Sequence, residues 1–166
     1  MIEYRKASLE EIDELKALLW KFGPNEWNYL TSEGVEDEFT LVENGNAQTI
    51  VAINDSEIIG LAVLIDGKVS PSYLEKYCSA KEMKFVGDVV VSSLHSGKGI
   101  ATRLLEECLL EAKNNNTSTV LIERHEENLA SAGMMRKAGF EIVDTFYDPE
   151  KRVAGSQISV ILKFKI

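Results

Sequence analysis

Residues 84–113 read KFVGDVVVSSLHSGKGIATRLLEECLLEAK, and the rest of the chain is organised around them. The apolar run over 83–91 predicts a buried strand, Gly97 and Gly99 predict a bend, and the apolar periodicity that follows predicts a helix opening at about Gly99. Along that helix Ala101, Leu104, Leu105, Cys108 and Ala112 share one face, while Arg103, Glu107 and Glu111 point away. The first amides of a helix have no partner within it, and the macrodipole places roughly half a positive charge beside them. Gly97 and Gly99 are expected to keep Cβ atoms out of an approaching anion's path, and Lys98 adds a full charge. The stretch therefore predicts a seat for a phosphate-bearing ligand.

Upstream, residues 2–6 predict a short edge strand. Ser8 and Glu11 have the spacing of a capping box, and Leu9, Ile12, Leu15, Leu18 (or Leu19) and Phe22 recur at helical spacing until Gly23-Pro24. A polar, aromatic loop leads to a second helix over 35–43, whose Glu36-Asp37-Glu38 stripe reads as a solvated face or a lure for cations. Residues 48–54 and 57–65 predict a hairpin turned at Asn54-Asp55-Ser56, and the continuous apolar run of its second strand predicts cover on both faces. Residues 68–82 form a connection long enough to suggest a functional segment.

Downstream, residues 119–123 predict a strand, 128–138 a short helix ended by Gly139, and 141–147 another strand. The alternation of 157–166 predicts a long half-buried strand, with Ile158, Val160, Leu162, Phe164 and Ile166 inward and Ser159, Lys163 and Lys165 outward. The order β-α-α-β-β-β-α-β-α-β-β predicts an α/β sandwich with a mixed, mostly antiparallel central sheet. With no repeat and no linker, 1–166 reads as a single domain.

A formal charge of −9 argues against nucleic-acid partners and favours a cationic substrate such as an amine. The longest apolar run is too short to span a bilayer, no signal-peptide pattern opens the chain, and Cys78 and Cys108 read as free thiols. A cytoplasmic protein without membrane attachment is the expectation. His95 and His125 lie in no cluster with ligand spacing, so no metal is expected.

A P-loop would need a Gly-Lys-Ser/Thr ending, and here Lys98 precedes Gly99. A dinucleotide fingerprint would need a small residue at Thr102 and βαβ units near the start of the chain. The element order and two local patterns instead resemble the GNAT family of acyl-CoA-dependent N-acyltransferases, over essentially the whole chain and most strongly over 83–142. The family loop Arg/Gln-x-x-Gly-x-Gly/Ala is met by Ser96-Gly97-Lys98-Gly99-Ile100-Ala101, with Ser96 in place of the usual Arg or Gln. The pattern Asn-x-x-Ala…Tyr-x-Lys-x-Gly-Phe is met by Asn128, Ser131, Lys137, Gly139 and Phe140, with Met135 at the Tyr position.

The resemblance implies acetyl-CoA as co-substrate. Its pyrophosphate would lie on the amides of Ser96, Gly97, Lys98, Gly99, Ile100, Ala101 and Thr102, and its pantetheine along Val89, Val90 and Val91 in the manner of an added strand. A main-chain N–H near Val90 or Val91 would polarise the acyl carbonyl. Asn128 either bonds pantetheine or caps its helix, and Ser131 leaves room near the acyl chain. Asp88 interrupts an apolar strand, on the same face as Val86 and Val90, and is the first candidate for a general base. Glu123 and Glu82 come second. Met135 cannot donate a proton to the leaving thiolate, and Tyr147 is one substitute.

The function implied is acetyl transfer by direct attack of a primary amine, on a small molecule or a protein. A non-catalytic acyl-CoA-binding domain is the alternative, and a dinucleotide module a third. A homodimer through the long last strand is possible on this reading.

Overall fold

The computed structural model describes residues 1–166. Its elements are β1 (Ile2–Lys6), α1 (Ile12–Phe22), α2 (Ser32–Glu43), β2 (Ala47–Asn54), β3 (Glu57–Asp66), β4 (Met83–Val91), α3 (Ile100–Asn114), β5 (Thr119–His125), α4 (Leu129–Lys137), β6 (Glu141–Tyr147) and β7 (Ile158–Lys165). This is the order the sequence predicts. The strands form one sheet, β1-β2-β3-β4-β5-β7-β6, in which only the β4–β5 pairing is parallel.

One apolar cluster lies under α1 and α2 on one face of the sheet, gathering Leu15, Leu19 and Phe39 with Val51, Leu61 and Phe85. The other lies under α3 and α4 and gathers Leu104, Leu105, Cys108 and Met135 with Ala62, Val86 and Ile122. β3 contributes to both and is buried along most of its length, as its continuous apolar run requires.

Four expectations change. α2 begins at Ser32, three residues early, because the Thr31 hydroxyl accepts from the Gly34 amide and caps it. Ser159 is buried rather than outward: the Arg152 Nε donates to its hydroxyl at 2.8 Å, and that hydroxyl donates to Asp148 at 2.7 Å. Ile166 is exposed at the chain end. β7 also pairs on both sides, with β5 and with β6, so it offers no free edge to a second subunit.

The feature that positions the site is a bulge. Val63 pairs with Asp88 and Leu64 with Val86, leaving Gly87 without a partner on β3. The pleat therefore changes phase. Val86 faces α3, whereas Val90 three pairs later belongs to the cluster under α1 and α2. Asp88 shares a face with Val90 but not with Val86, which a strictly alternating strand could not do. β4 and β5 pair only over Met83–Val86 and Thr119–Ile122, and beyond the bulge they part.

Candidate active site

The parting of β4 and β5 opens a cleft of about 310 Å³ that passes through the sheet. On the α1/α2 side its wall includes Phe22, Trp27 and Asn28; on the other it includes Ala101, Ser131 and Met135. Val89, Val90 and Val91 form one edge, and Glu123, Arg124 and His125 the other. The Ser92 N–H donates to the Ile59 carbonyl at 2.8 Å. Strand alternation then turns the N–H groups of Val91 and Val89 away from β3, toward the gap, and that of Val90 toward β3.

At the α3 side of this cleft is the glycine loop. Gly97 and Gly99 both hold left-handed φ angles, 78° and 74°, and Gly99 is the N-cap of α3. A Cβ on either would meet nothing within 4 Å. The left-handed backbone by itself requires glycine at both positions, and the protein leaves the space around them open. The backbone amides of Gly97, Lys98, Gly99, Ile100, Ala101 and Thr102 have no acceptor within the protein. Ile100 anchors the turn by burying its side chain beneath α3, and Ser96, Gly97, Lys98 and Gly99 are exposed. The Asn128 carboxamide oxygen accepts from the Ser131 amide at 3.2 Å and caps α4, while the residue also borders the cleft. Met135 is buried in the core against the cleft.

Toward α1 and α2 the gap meets a second cleft, of about 280 Å³, with Asn28, Gly87, Glu123 and Arg152 in both walls. Here the carboxylates gather. Glu38 is not part of a solvated stripe: α2 turns it inward over Gly87, where the position of a Cβ is taken by its Oε2 and by the Ile65 Cδ1 at 2.8 Å. Burial raises its pKa well above the ordinary value, and the neighbouring charge of Asp88 raises it further. Burial also raises Asp88, opposed by a hydrogen bond from Glu38 and by the charge of Lys151. The larger rise falls on Glu38, so of the two acids Glu38 keeps its proton to the higher pH.

Glu123 lies on β5 one residue beyond the last β4 pair. Its Oε1 accepts from the Tyr73 hydroxyl at 2.7 Å and contacts the Lys151 ammonium, while its buried Oε2 has no partner. Tyr73 comes from the long 68–82 connection, and burial raises its phenol to about 12. Lys151 and Arg152 come from the β6–β7 loop. That loop is folded down at Ser156, whose amide donates to Glu127 at 2.6 Å, and at Gly155, packed against the Trp27 ring. His125 accepts from the Glu127 amide at Nδ1 and so presents an Nε2 proton to the Ala154 carbonyl at 2.7 Å, with Trp27 against its ring.

Asp88 and Glu123 thus come together where the strands part. Glu82 is exposed at the far end of β4, and Tyr147 is 67% exposed and bonded to Gln157, so neither borders the cleft. Glu38, Tyr73, Lys151 and Arg152 escape sequence reasoning. The only available signal was the unusual length of the 68–82 segment that delivers Tyr73.

No curated protein matches the chain in sequence. Solved structures with the same fold include a ribosomal-protein-alanine N-acetyltransferase from Brucella melitensis, at 20% identity and TM-score 0.76, covering 99% of each chain. An acetyltransferase from Bacillus subtilis in complex with CoA matches at 18% identity and TM-score 0.75, covering 100% of this chain and 99% of that one. A GNAT family acetyltransferase from Elizabethkingia anophelis with acetyl-CoA bound matches at 18% and 0.71, covering 99% and 98%. The sequence model of the GNAT acetyltransferase family matches residues 12–140, well over half of the chain, and with the parted strands and the free helix N-terminus in place, the chain belongs to that family.

Proposed function

We propose that this N-acetyltransferase moves an acetyl group from acetyl-CoA to a primary amine by direct attack within the through-sheet cleft. The observation that carries the reading is the row of six acceptor-less amides from Gly97 to Thr102, which reaches at Ala101 the wall of a cleft that also holds Asp88 and Glu123. The pyrophosphate fits those amides and the Lys98 charge. The pantetheine fits the unpaired edge of β4, and the Val91 N–H faces the gap where a thioester carbonyl would lie.

An alkylammonium with pKa about 10.4 must lose a proton before attack, at a cost of about 4.6 kcal/mol at pH 7. Asp88 takes that role. Its raised pKa brings it nearer the working pH of a general base, and Glu38 holds it in place. Glu123 is tied to Tyr73 and Lys151 at one oxygen and offers the other to the incoming ammonium. The leaving thiolate, of parent pKa about 8.5, makes little demand for an acid, so Met135 at that position does not forbid turnover. The free thiols of Cys78 and Cys108 support a reducing, cytoplasmic setting.

Thiol release from acetyl-CoA over a panel of amines tests the reading. Turnover with at least one amine, and a higher melting temperature with CoA than with NAD, is the expected result. Coenzyme binding without turnover on any amine would favour the non-catalytic alternative.

A further inference from the structure

Arg152 is 8% exposed and borders both clefts. Its Nε is used by the Ser159 hydroxyl at 2.8 Å, and that is the one hydrogen bond its side chain makes within the protein, which leaves the two terminal nitrogens to face the clefts. Asp148, whose charge Arg152 feels most among the acids, spends its Oδ2 on that same hydroxyl and forms no ion pair with the guanidinium. A guanidinium held at a cleft wall by its Nε, with its fork open to the cleft, has the geometry to take a carboxylate by two parallel hydrogen bonds. The structural part of the side chain is accounted for by Ser159; the fork is not.

The same walls hold the opposite charge. Glu123, with a side chain only 5% exposed, meets Lys151 through its Oε1 but keeps a buried Oε2 without partner, and the second cleft adds the carboxylate of Asp37. At about 280 Å³ that cleft is at the small end for ligand sites. Resting on the acetyl-transfer reading above, we infer that the acceptor is an amine of amino-acid size that carries its own carboxylate. The ammonium is received on the Glu123 and Asp88 side, and the carboxylate is held by the terminal nitrogens of Arg152. A polyamine or the side chain of a protein lysine would leave the fork empty and set a second cation beside it. The carboxylated amine pairs both charges and enters with no net charge.

The test is thiol release from acetyl-CoA with the twenty standard α-amino acids, β-alanine and γ-aminobutyrate, each beside its carboxamide and its decarboxylated amine. At least one carboxylated amine is expected to exceed both of its neutral-end analogues by tenfold or more in kcat/KM. Arg152→Gln should shrink that ratio toward one, mainly by raising KM for the carboxylate, and Arg152→Lys should restore part of it. Because the ratio is measured first on the unaltered protein, poor folding of a variant does not blunt the test. Equal rates for acids and amides, or transfer only to amines lacking a carboxylate, overturns the inference while leaving acetyl transfer intact. So does acetyl-CoA binding with transfer to none of the carboxylated amines. Absence of any acetyl-CoA binding, read as no shift in melting temperature, overturns the acetyl-transfer reading and the inference with it.

Discussion

The carboxyl of Glu38 on α2 meets that of Asp88 on β4 across the bulge at Gly87, and burial together with the charge of Asp88 raises the pKa of Glu38 well above the ordinary carboxylate range. Two buried acids this close cannot both ionise cheaply, so the pair acts as one titrating unit.

That arrangement fixes the sign of a stability effect. A carboxyl raised above its ordinary value of 4.5 keeps a proton the unfolded chain has already released. Its favourable contribution is complete below that ordinary value and is lost as pH rises through the raised one, at up to about 1.4 kcal/mol per pH unit for one proton. Glu38→Gln cannot titrate and still donates to Asp88. Urea unfolding from pH 5 to 8 should show a flatter decline for the variant than for the unaltered protein; identical slopes would place the proton elsewhere.

Asp88→Asn is expected to lower kcat by about 10²-fold or more, the usual range for a lost general base, with KM for acetyl-CoA little changed. Loss of the acidic limb in the pH–rate profile is the accompanying sign. Full turnover at every pH would remove Asp88 from the chemistry and leave Glu123 as the candidate.

Gly99 separates conformation from ligand contact. Gly99→Ala has open space for its Cβ but must hold a φ of 74°, and should cost about 1–2 kcal/mol of stability while keeping coenzyme binding measurable. Gly99→Glu adds a negative charge among the free amides and should abolish binding by calorimetry. Equal affinity in the glutamate variant would move the phosphates off this loop.

Gly87→Ala should destabilise by about 1–3 kcal/mol, because the new methyl meets the Glu38 carboxyl and the Ile65 side chain at 2.8 Å. Combined with Glu38→Ala, which empties that space, the penalty should be less than the sum of the two singles. Strict additivity in this double-mutant cycle would deny the contact.

Much of this molecule was legible because its signals are local. The Gly97-Lys98-Gly99 bend, the apolar run of β4 and the stripe of α3 announce themselves within a turn or a pleat, and the element order followed from them. The bulge did not: Gly87 looks like one more strand residue, and only its missing partner on β3 reverses the faces of Val86 and Val90. The second cleft was less legible still. Glu38, Tyr73 and Arg152 lie in a helix, a long connection and a late loop, and nothing local distinguishes Glu38 from Glu36 or Arg152 from a surface arginine. Tertiary closure alone brings them together. Ser159 misled for a related reason, since a polar residue in an alternating strand reads as outward until a buried arginine claims its hydroxyl.

The four residue pairs that join β4 to β5 make a narrow hinge between the two wings of the sheet, β1-β2-β3-β4 and β5-β7-β6. Such a neck stores little resistance to flexing, and a cofactor lying in the notch beside it acts as a splint. Amides in the β5-β7-β6 wing should therefore exchange with deuterium more slowly once coenzyme is bound, even where they are distant from it. The opening that admits the substrate is also the weakest seam of the scaffold.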